Sequence, residues 1–266
     1  MNKKAIGVFD SGIGGLTVYK ALKQKMPNEK VIYLGDTARL PYGTKSAETI
    51  IKFSEDNALF LLDRNVKIIV DACNSSSSYA IPHLQDKLDI PVLGVIEPGA
   101  EAAVRWSKNS IGVIGTTATI ASKAYEKSIL ERKPDAKIVA RDCPLFVPLV
   151  EEGWLTHEVT RLTAREYLLP LKEKGIDSLV LGCTHYPVLK PIISEVLGEN
   201  IKLIDSAEVI TGKVYSILQS LGWLNNSRPV GSQQDEFFVT DFPDRFKKVG
   251  EIFLNRKIEK VHTAIF

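Results

Sequence analysis

The sequence predicts an α/β protein. Read as an internal duplication, it predicts two similar lobes, each a mostly parallel sheet flanked by helices, with a site in the cleft between them. Three observations carry this. Short apolar runs alternate with longer amphipathic stretches through most of the 266 residues, the β-α-β-α order that builds parallel sheets with helices on their faces. Strand signals recur in order about 105–110 residues apart: Ile6-Gly7-Val8 with Ile111-Gly112-Val113, Lys30-Val31-Ile32 with Lys137-Ile138-Val139, and Cys73 with Cys183. Finally, Cys73 and Cys183 each end an apolar run and are followed at once by polar residues, Asn74-Ser75 and Thr184-His185. α/β units resemble one another even without duplication. If the repeat is a duplication, a pseudo-twofold axis brings the two cysteine turns face to face.

Taken in order, the apolar runs place strands at 5–9, 31–34, 67–72, 92–96, 111–114, 138–140, 179–182 and 203–204, with a weaker one at 237–240. Helical spacing appears at 16–25, where Leu16, Tyr19, Ala21 and Leu22 share a side, and at 46–64, where Ile50, Phe53, Ala58, Leu61 and Leu62 do. Similar spacing marks helices at 121–132, 156–171 and 207–221, and the Gly- and Pro-containing stretch 225–234 reads as a loop. The expected lobes are residues 1–97 with 207–266, the last segment packing back on the first lobe, and residues 98–206.

Composition sets outer limits. Hydrophobic residues at 44% and charged residues at 25% describe an ordinary globular chain. A net charge of +2, from 34 basic and 32 acidic residues, gives no reason to expect nucleic acid or an anionic membrane as partner. No apolar stretch approaches the roughly 20 residues that span a bilayer. The basic residues Lys3 and Lys4 precede an apolar stretch too short for a signal peptide, so a cytoplasmic protein is expected. Three widely spaced cysteines argue against a disulfide framework. Without CxxC or HExxH, no zinc site is expected.

In an open α/β sheet, ligands bind beyond the carboxyl ends of the strands, which is where both thiols fall. The first turn, Asp10-Ser11-Gly12-Ile13-Gly14-Gly15, supplies glycines for tight backbone and N–H groups for a carboxylate or phosphate. A dinucleotide fingerprint fails there, because Thr17 occupies the third glycine position. An ordinary Asp or Ser helix cap would explain the same residues. Asp36 to Gly43, with Pro41 and Tyr42, forms a rigid turn suited to a pocket wall. Cys73 is expected to open a helix, whose N-terminus lowers a thiol's pKa and favours anions. Thr184 offers donors, and His185 a proton relay. Cys143, followed by Pro144-Leu145-Phe146-Val147-Pro148, has no polar followers and reads as structural. His83, His157 and His262 fit helix-surface or packing roles.

Together these motifs resemble the glutamate racemase family, within the cofactor-independent aspartate/glutamate racemase superfamily. The matching residues are Phe9 to Gly15, Gly35-Asp36 with Pro41-Tyr42-Gly43, Ala72-Cys73-Asn74-Ser75, Pro148 to Gly153, and Leu181 to Pro187. At Ser75 the family usually has Thr; Ser keeps the hydroxyl and loses a methyl. The resemblance implies two α/β lobes, a homodimer, no cofactor, and interconversion of L- and D-glutamate that supplies D-glutamate for peptidoglycan. By position, Cys73 and Cys183 would be the acid/base pair. Asp10, Ser11, Pro41, Tyr42, Gly43, Asn74, Ser75, Thr184 and His185 would contact substrate. Asp10 would lie near Cys73 and His185 near Cys183, completing the catalytic set. An aspartate or hydantoin racemase would share both thiols and differ in the pocket. A two-lobed binding protein would need neither thiol.

Overall fold

A computed structural model describes residues 4–108, 110–225 and 234–265. Most of the expected 225–234 loop therefore lies outside the described residues. In chain order the first part holds β1 (Ile6–Asp10), α1 (Leu16–Lys25), β2 (Val31–Gly35), a 3₁₀ turn (Tyr42–Thr44), α2 (Ala47–Leu62), β3 (Ile68–Asp71), α3 (Asn74–Ser77), α4 (Ile81–Lys87), β4 (Val92–Gly94) and α5 (Ile96–Trp106). Next come β5 (Ser110–Gly115), α6 (Thr117–Ala121), α7 (Ala124–Arg132), β6 (Lys137–Asp142), α8 (Phe146–Glu151), α9 (Glu158–Glu173), β7 (Ser178–Gly182), a second 3₁₀ turn (Tyr186–Leu189), α10 (Lys190–Leu197) and β8 (Lys202–Asp205). The chain closes with α11 (Ser206–Ser220), β9 (Glu236–Val239), α12 (Pro243–Leu254) and β10 (His262–Thr263).

Two sheets result, and every described strand pair in them is parallel. The first runs β10-β9-β2-β1-β3-β4, and the second β6-β5-β7-β8. The second repeats the order β2-β1-β3-β4 of the first, with β5 standing for β1 and β7 for β3. That shared order is the structural form of the repeat visible in sequence. β1, β2, β3, β5 and β7 are buried along their whole length, as strands covered by helices on both faces must be, and they therefore read as unbroken apolar runs. One hydrophobic core joins the lobes. It runs from Val8, Val70 and Leu16 to Leu179, Leu181 and Ile193, with Ile210 and Val214 of α11 and Phe246 of α12 in the same cluster. Among the described residues, no helix is long and apolar enough to cross a membrane.

Local chemistry sets the helix starts. Ser46 Oγ accepts the Thr49 N–H at 3.3 Å ahead of α2, and Asp205 Oδ1 accepts the Ala207 N–H at 2.9 Å ahead of α11. His157 caps α9 through Nδ1, and His83 pairs with Glu55 on an exposed helix face. His262 stacks on Phe238, so all three histidines take the surface or packing roles expected of them.

The helix expected over 121–132 is found as α7 but starts at Ala124, after the separate short helix α6. Lys123 sits at φ +55° between α6 and α7, and the Ser122 hydroxyl donates to Thr119 O while accepting the Ala124 N–H. This local side-chain pairing competes with helical hydrogen bonds. Strand β4 stops at Gly94, and Ile96, expected in the strand, begins α5.

At the amino ends of the first sheet's strands, Lys67 and Glu29 form a buried ion pair at 2.7 Å. Lys67 also donates to Trp223 O, and Glu29 accepts from the Asn225 N–H, which fastens the chain after α11 to the first lobe. Lys67→Ala is expected to cost about 3–5 kcal/mol of stability, because Glu29 would remain as an unpaired buried charge. Urea denaturation reads this directly, and the Lys67→Met/Glu29→Leu double variant should recover most of it.

Candidate active site

The carboxyl ends of β1, β3, β5 and β7 converge on one cavity of about 340 Å³ between the lobes. Such a volume suits a metabolite of amino-acid size. From the first lobe come Ser11 and Gly12 after β1, Leu40 to Thr44, and Cys73, Asn74 and Ser75 after β3. From the second come Thr116 and Thr117 after β5, Cys183, Thr184 and His185 after β7, and Pro144, Val147, Pro148 and Glu151 on and before α8. Both thiols line the cavity, and both cysteines are buried and free. Cys143 is also buried but lies outside the lining, where the Tyr186 hydroxyl donates to its carbonyl. It is structural, as the sequence suggested.

The two thiols have different surroundings. Cys73 precedes α3, and its sulfur is 3.5 Å from Ser11 Oγ. The lowering expected from a helix start does not prevail. Burial drives the Cys73 thiol upward, Asp10 pushes the same way, as would Asp71 if charged, and the Ser11 hydroxyl and Ser76 N–H only partly oppose them. Cys183 faces His185 Nδ1 at 3.9 Å, and His185 Nε2 lies 3.1 Å from Glu151 Oε1. Glu151 Oε2 in turn pairs with Arg245 at 3.2 Å. Burial disfavours charge on His185, but the contacts with Cys183 and Glu151 outweigh it and raise the imidazole to about 10. An imidazolium donates from both nitrogens, here toward the Cys183 sulfur and the Glu151 carboxylate.

Asp10 is fully buried and is not part of the cavity wall. Its carboxylate accepts the Gly12 N–H at 2.9 Å and the Thr184 hydroxyl at 3.3 Å, tying the first turn to the second lobe. Gly14 packs at the same junction. A methyl group there would come within 2.3 Å of Thr184 Oγ1 and 2.4 Å of His185 Nδ1. Gly14→Ala should therefore displace the Cys183-Thr184-His185 turn, at about 1–3 kcal/mol of overpacking strain, and turnover should fall more than the melting temperature suggests.

Tyr42, Pro41 and Gly43 form a wall, as expected, but the Tyr42 hydroxyl is not offered to the cavity. It donates to Asp36 Oδ2 and accepts from Asn57 Nδ2 at 3.0 Å, while Arg39 Nε holds the same carboxylate at 2.6 Å. Asn74 accepts the Tyr125 hydroxyl at 2.7 Å on Oδ1, and its buried Nδ2 has no protein partner. Ser75 Oγ reaches across to Thr116 Oγ1 at 2.8 Å. Glu151, Thr116 and Thr117 were not singled out as site residues in the sequence. The repeat could have found the threonines, since Thr116 follows β5 as Ser11 follows β1. Among the described residues that line the cavity there is no lysine or arginine; hydroxyls, one amide and main-chain N–H groups supply its donors.

Comparison with known proteins agrees with this geometry. The Asp/Glu/Hydantoin racemase family model matches residues 6–214. The glutamate racemase of Geobacter metallireducens is 51% identical over 261 residues, covering 97% of this chain and 96% of that protein. The crystal structure of glutamate racemase from Francisella tularensis in complex with D-glutamate superposes with a TM-score of 0.93 at 41% identity, covering 100% of this chain and 98% of that one. Glutamate racemase isoform RacE1 from Bacillus anthracis gives the same TM-score at 37% identity and the same coverage. Two thiols at matching strand ends of a duplicated α/β fold, and likeness over almost the whole length, place the chain in the Asp/Glu/hydantoin racemase family, among its glutamate racemases: it is an amino-acid racemase, an isomerase.

Proposed function

We propose that this chain interconverts L- and D-glutamate by proton transfer between two cysteines on opposite faces of the α-carbon, without a cofactor. The observation that carries the reading is the placement of Cys73 and Cys183 at equivalent strand ends, β3 and β7, opening on one cavity. One thiolate removes the α-proton while the opposite thiol delivers its own, so configuration inverts without the substrate turning over. In one direction Cys183 acts as the base, facing the His185 imidazolium, and Cys73 delivers its thiol proton, a form that burial and Asp10 favour. After one turnover the roles are reversed.

Negative charge on the substrate is met by oriented donors rather than by lysine or arginine. Asn74 Nδ2, with no other partner, and the hydroxyls of Ser11, Ser75 and Thr116 are the side-chain donors in reach of the cavity. Asp10 acts from behind the wall, holding the Ser11-Gly12 turn and Thr184 in place. The lobes are residues 1–97 with 207–266, and residues 98–206. The setting is the cytoplasm, where the product D-glutamate enters peptidoglycan. A homodimer fits the apolar stripe that Val159, Leu162 and Leu169 leave exposed along α9; sedimentation would show a mass twice that of the chain.

The test is circular dichroism of dialysed protein with L-glutamate, D-glutamate, aspartate or a hydantoin. Loss of optical activity from both glutamate enantiomers, and not from the others, supports the assignment. Turnover of aspartate or a hydantoin in preference to glutamate would overturn it.

A further inference from the structure

Asp71 ends β3, two residues before Cys73, and is fully buried outside the cavity wall. The scheme above gives it no task. Its Oδ1 accepts the Cys73 N–H at 3.1 Å. Its Oδ2 begins a chain of three close oxygen contacts: Asp71 Oδ2 to Ser76 Oγ, Ser76 Oγ to Ser54 Oγ, and Ser54 Oγ to the carbonyl of Ile50, each 2.6 Å.

Each such contact needs one hydrogen between its two oxygens. The Ile50 carbonyl has none to give, so Ser54 donates to it. Ser54 has only one, so Ser76 donates to Ser54. Ser76 then has none left, and the hydrogen in the last contact must come from Asp71. Ser77 cannot provide it, because its hydroxyl donates to the Asp71 main-chain carbonyl at 3.0 Å. Asp10 makes a useful contrast: each of its contacts is with a donor, Gly12 N–H or the Thr184 hydroxyl, as a carboxylate requires.

The electrostatic surroundings agree. Burial holds the Asp71 carboxyl well above the ordinary carboxylate range, and Asp10 reinforces this, with the Cys73 N–H pulling weakly the other way. The ionisable groups that face it are Asp10 from β1 and Cys73 itself.

We propose that Asp71 is a neutral carboxylic acid at working pH, and that it is a positioning residue for Cys73. The proposal rests on the reading of Cys73 as one of the two proton-transfer groups. The acid fixes the Cys73 main chain through Oδ1 and anchors α3 to α2 through the serine chain. Its bound proton removes one of the two anions that would otherwise oppose a thiolate at Cys73, leaving Asp10 alone. A carboxylate here would lack the hydrogen that the contact with Ser76 needs and would also repel a thiolate; the neutral acid completes the serine chain without that repulsion.

Two measurements test this. Infrared spectroscopy of protein labelled with ¹³C at the aspartate carboxyl should show a protonated-carboxyl band that disappears in Asp71→Asn. It needs no activity, so it stands even if glutamate is not the substrate. Kinetics form the second arm. The amide of Asp71→Asn can donate to Ser76 and accept from Cys73 N–H, so this variant should keep the wild-type rate and pH profile in both directions. Asp71→Ala should lower kcat by about 10²-fold through misplacement of the Cys73 thiol, with KM little changed. Absence of the band, or a pH profile displaced to lower pH in Asp71→Asn, would mean the native group is charged and would overturn the proposal. Wild-type kcat in Asp71→Ala would overturn its positioning role.

Discussion

Cys73→Ala and Cys183→Ala are each expected to lower racemisation by about 10⁴-fold or more in both directions, since each removes an acid/base group from one face of the α-carbon. Serine at either position should leave at most a residual rate, because a hydroxyl is a far weaker acid than a thiol. The sharper expectation concerns exchange. A variant with one thiol can still remove and return a proton on its own face. In D₂O, Cys73→Ala should exchange the α-proton of one glutamate enantiomer without inversion, and Cys183→Ala that of the other. Proton NMR follows both. Exchange of both enantiomers by a single variant would mean that the thiols do not divide the faces between them.

His185→Asn is expected to slow the direction that uses the Cys183 thiolate by about 10²–10⁴-fold near neutral pH, because it removes the positive charge facing that sulfur. The direction that begins at the Cys73 thiolate should be slowed less in its proton-abstraction step. Glu151→Gln should act the same way more weakly, by releasing His185 from its carboxylate partner. The pH dependence has a definite sign. Because His185 is raised to about 10, its ion pair with Glu151 contributes fully to stability below the ordinary imidazole value near 6.5. That contribution is lost as pH rises through about 10. Glu151 is held below its ordinary range; burial opposes this, but His185 and Arg245 prevail, so its own contribution is lost only as the solution becomes strongly acidic. Wild-type melting temperature should therefore fall in the alkaline range by more than that of His185→Asn. Equal alkaline losses would remove the basis for an imidazolium at this position.

Much of this site was legible before the fold. Strands β1, β2, β3, β5 and β7 are buried along their whole length, and so announce themselves as apolar runs. The polar residues after each run then mark the carboxyl ends, where ligands bind. That logic located Cys73, Cys183, Ser11, Asn74, Ser75, Thr184 and His185 on the cavity wall. It could not show the direction in which a side chain turns. Asp10 points behind the wall to Gly12 and Thr184, and the Tyr42 hydroxyl points to Asp36. The first depends on Thr184, in the other half of the chain, and the second on the local turn that brings Asp36 and Asn57 against Tyr42; apolar spacing records neither. Glu151 was hidden for a related reason, because its importance comes from His185, 34 residues along the chain. Strand β10 is two residues, His262 and Thr263, at a sheet edge beside β9, too short to have any periodicity. The break between α6 and α7 turns on Ser122 pairing with its neighbours, which hydrophobic spacing does not record.

The two-thiol mechanism is tested most directly by the position of label in the first turnovers. Wild-type protein is mixed with L-glutamate, and separately with D-glutamate, in D₂O, and product and recovered substrate are separated before equilibrium. Two bases on opposite faces predict that the product carries solvent deuterium at the α-carbon while recovered substrate keeps its protium. Product that retains the substrate's own proton, or substrate that gains deuterium as fast as product forms, would require a single base serving both faces and would contradict the account.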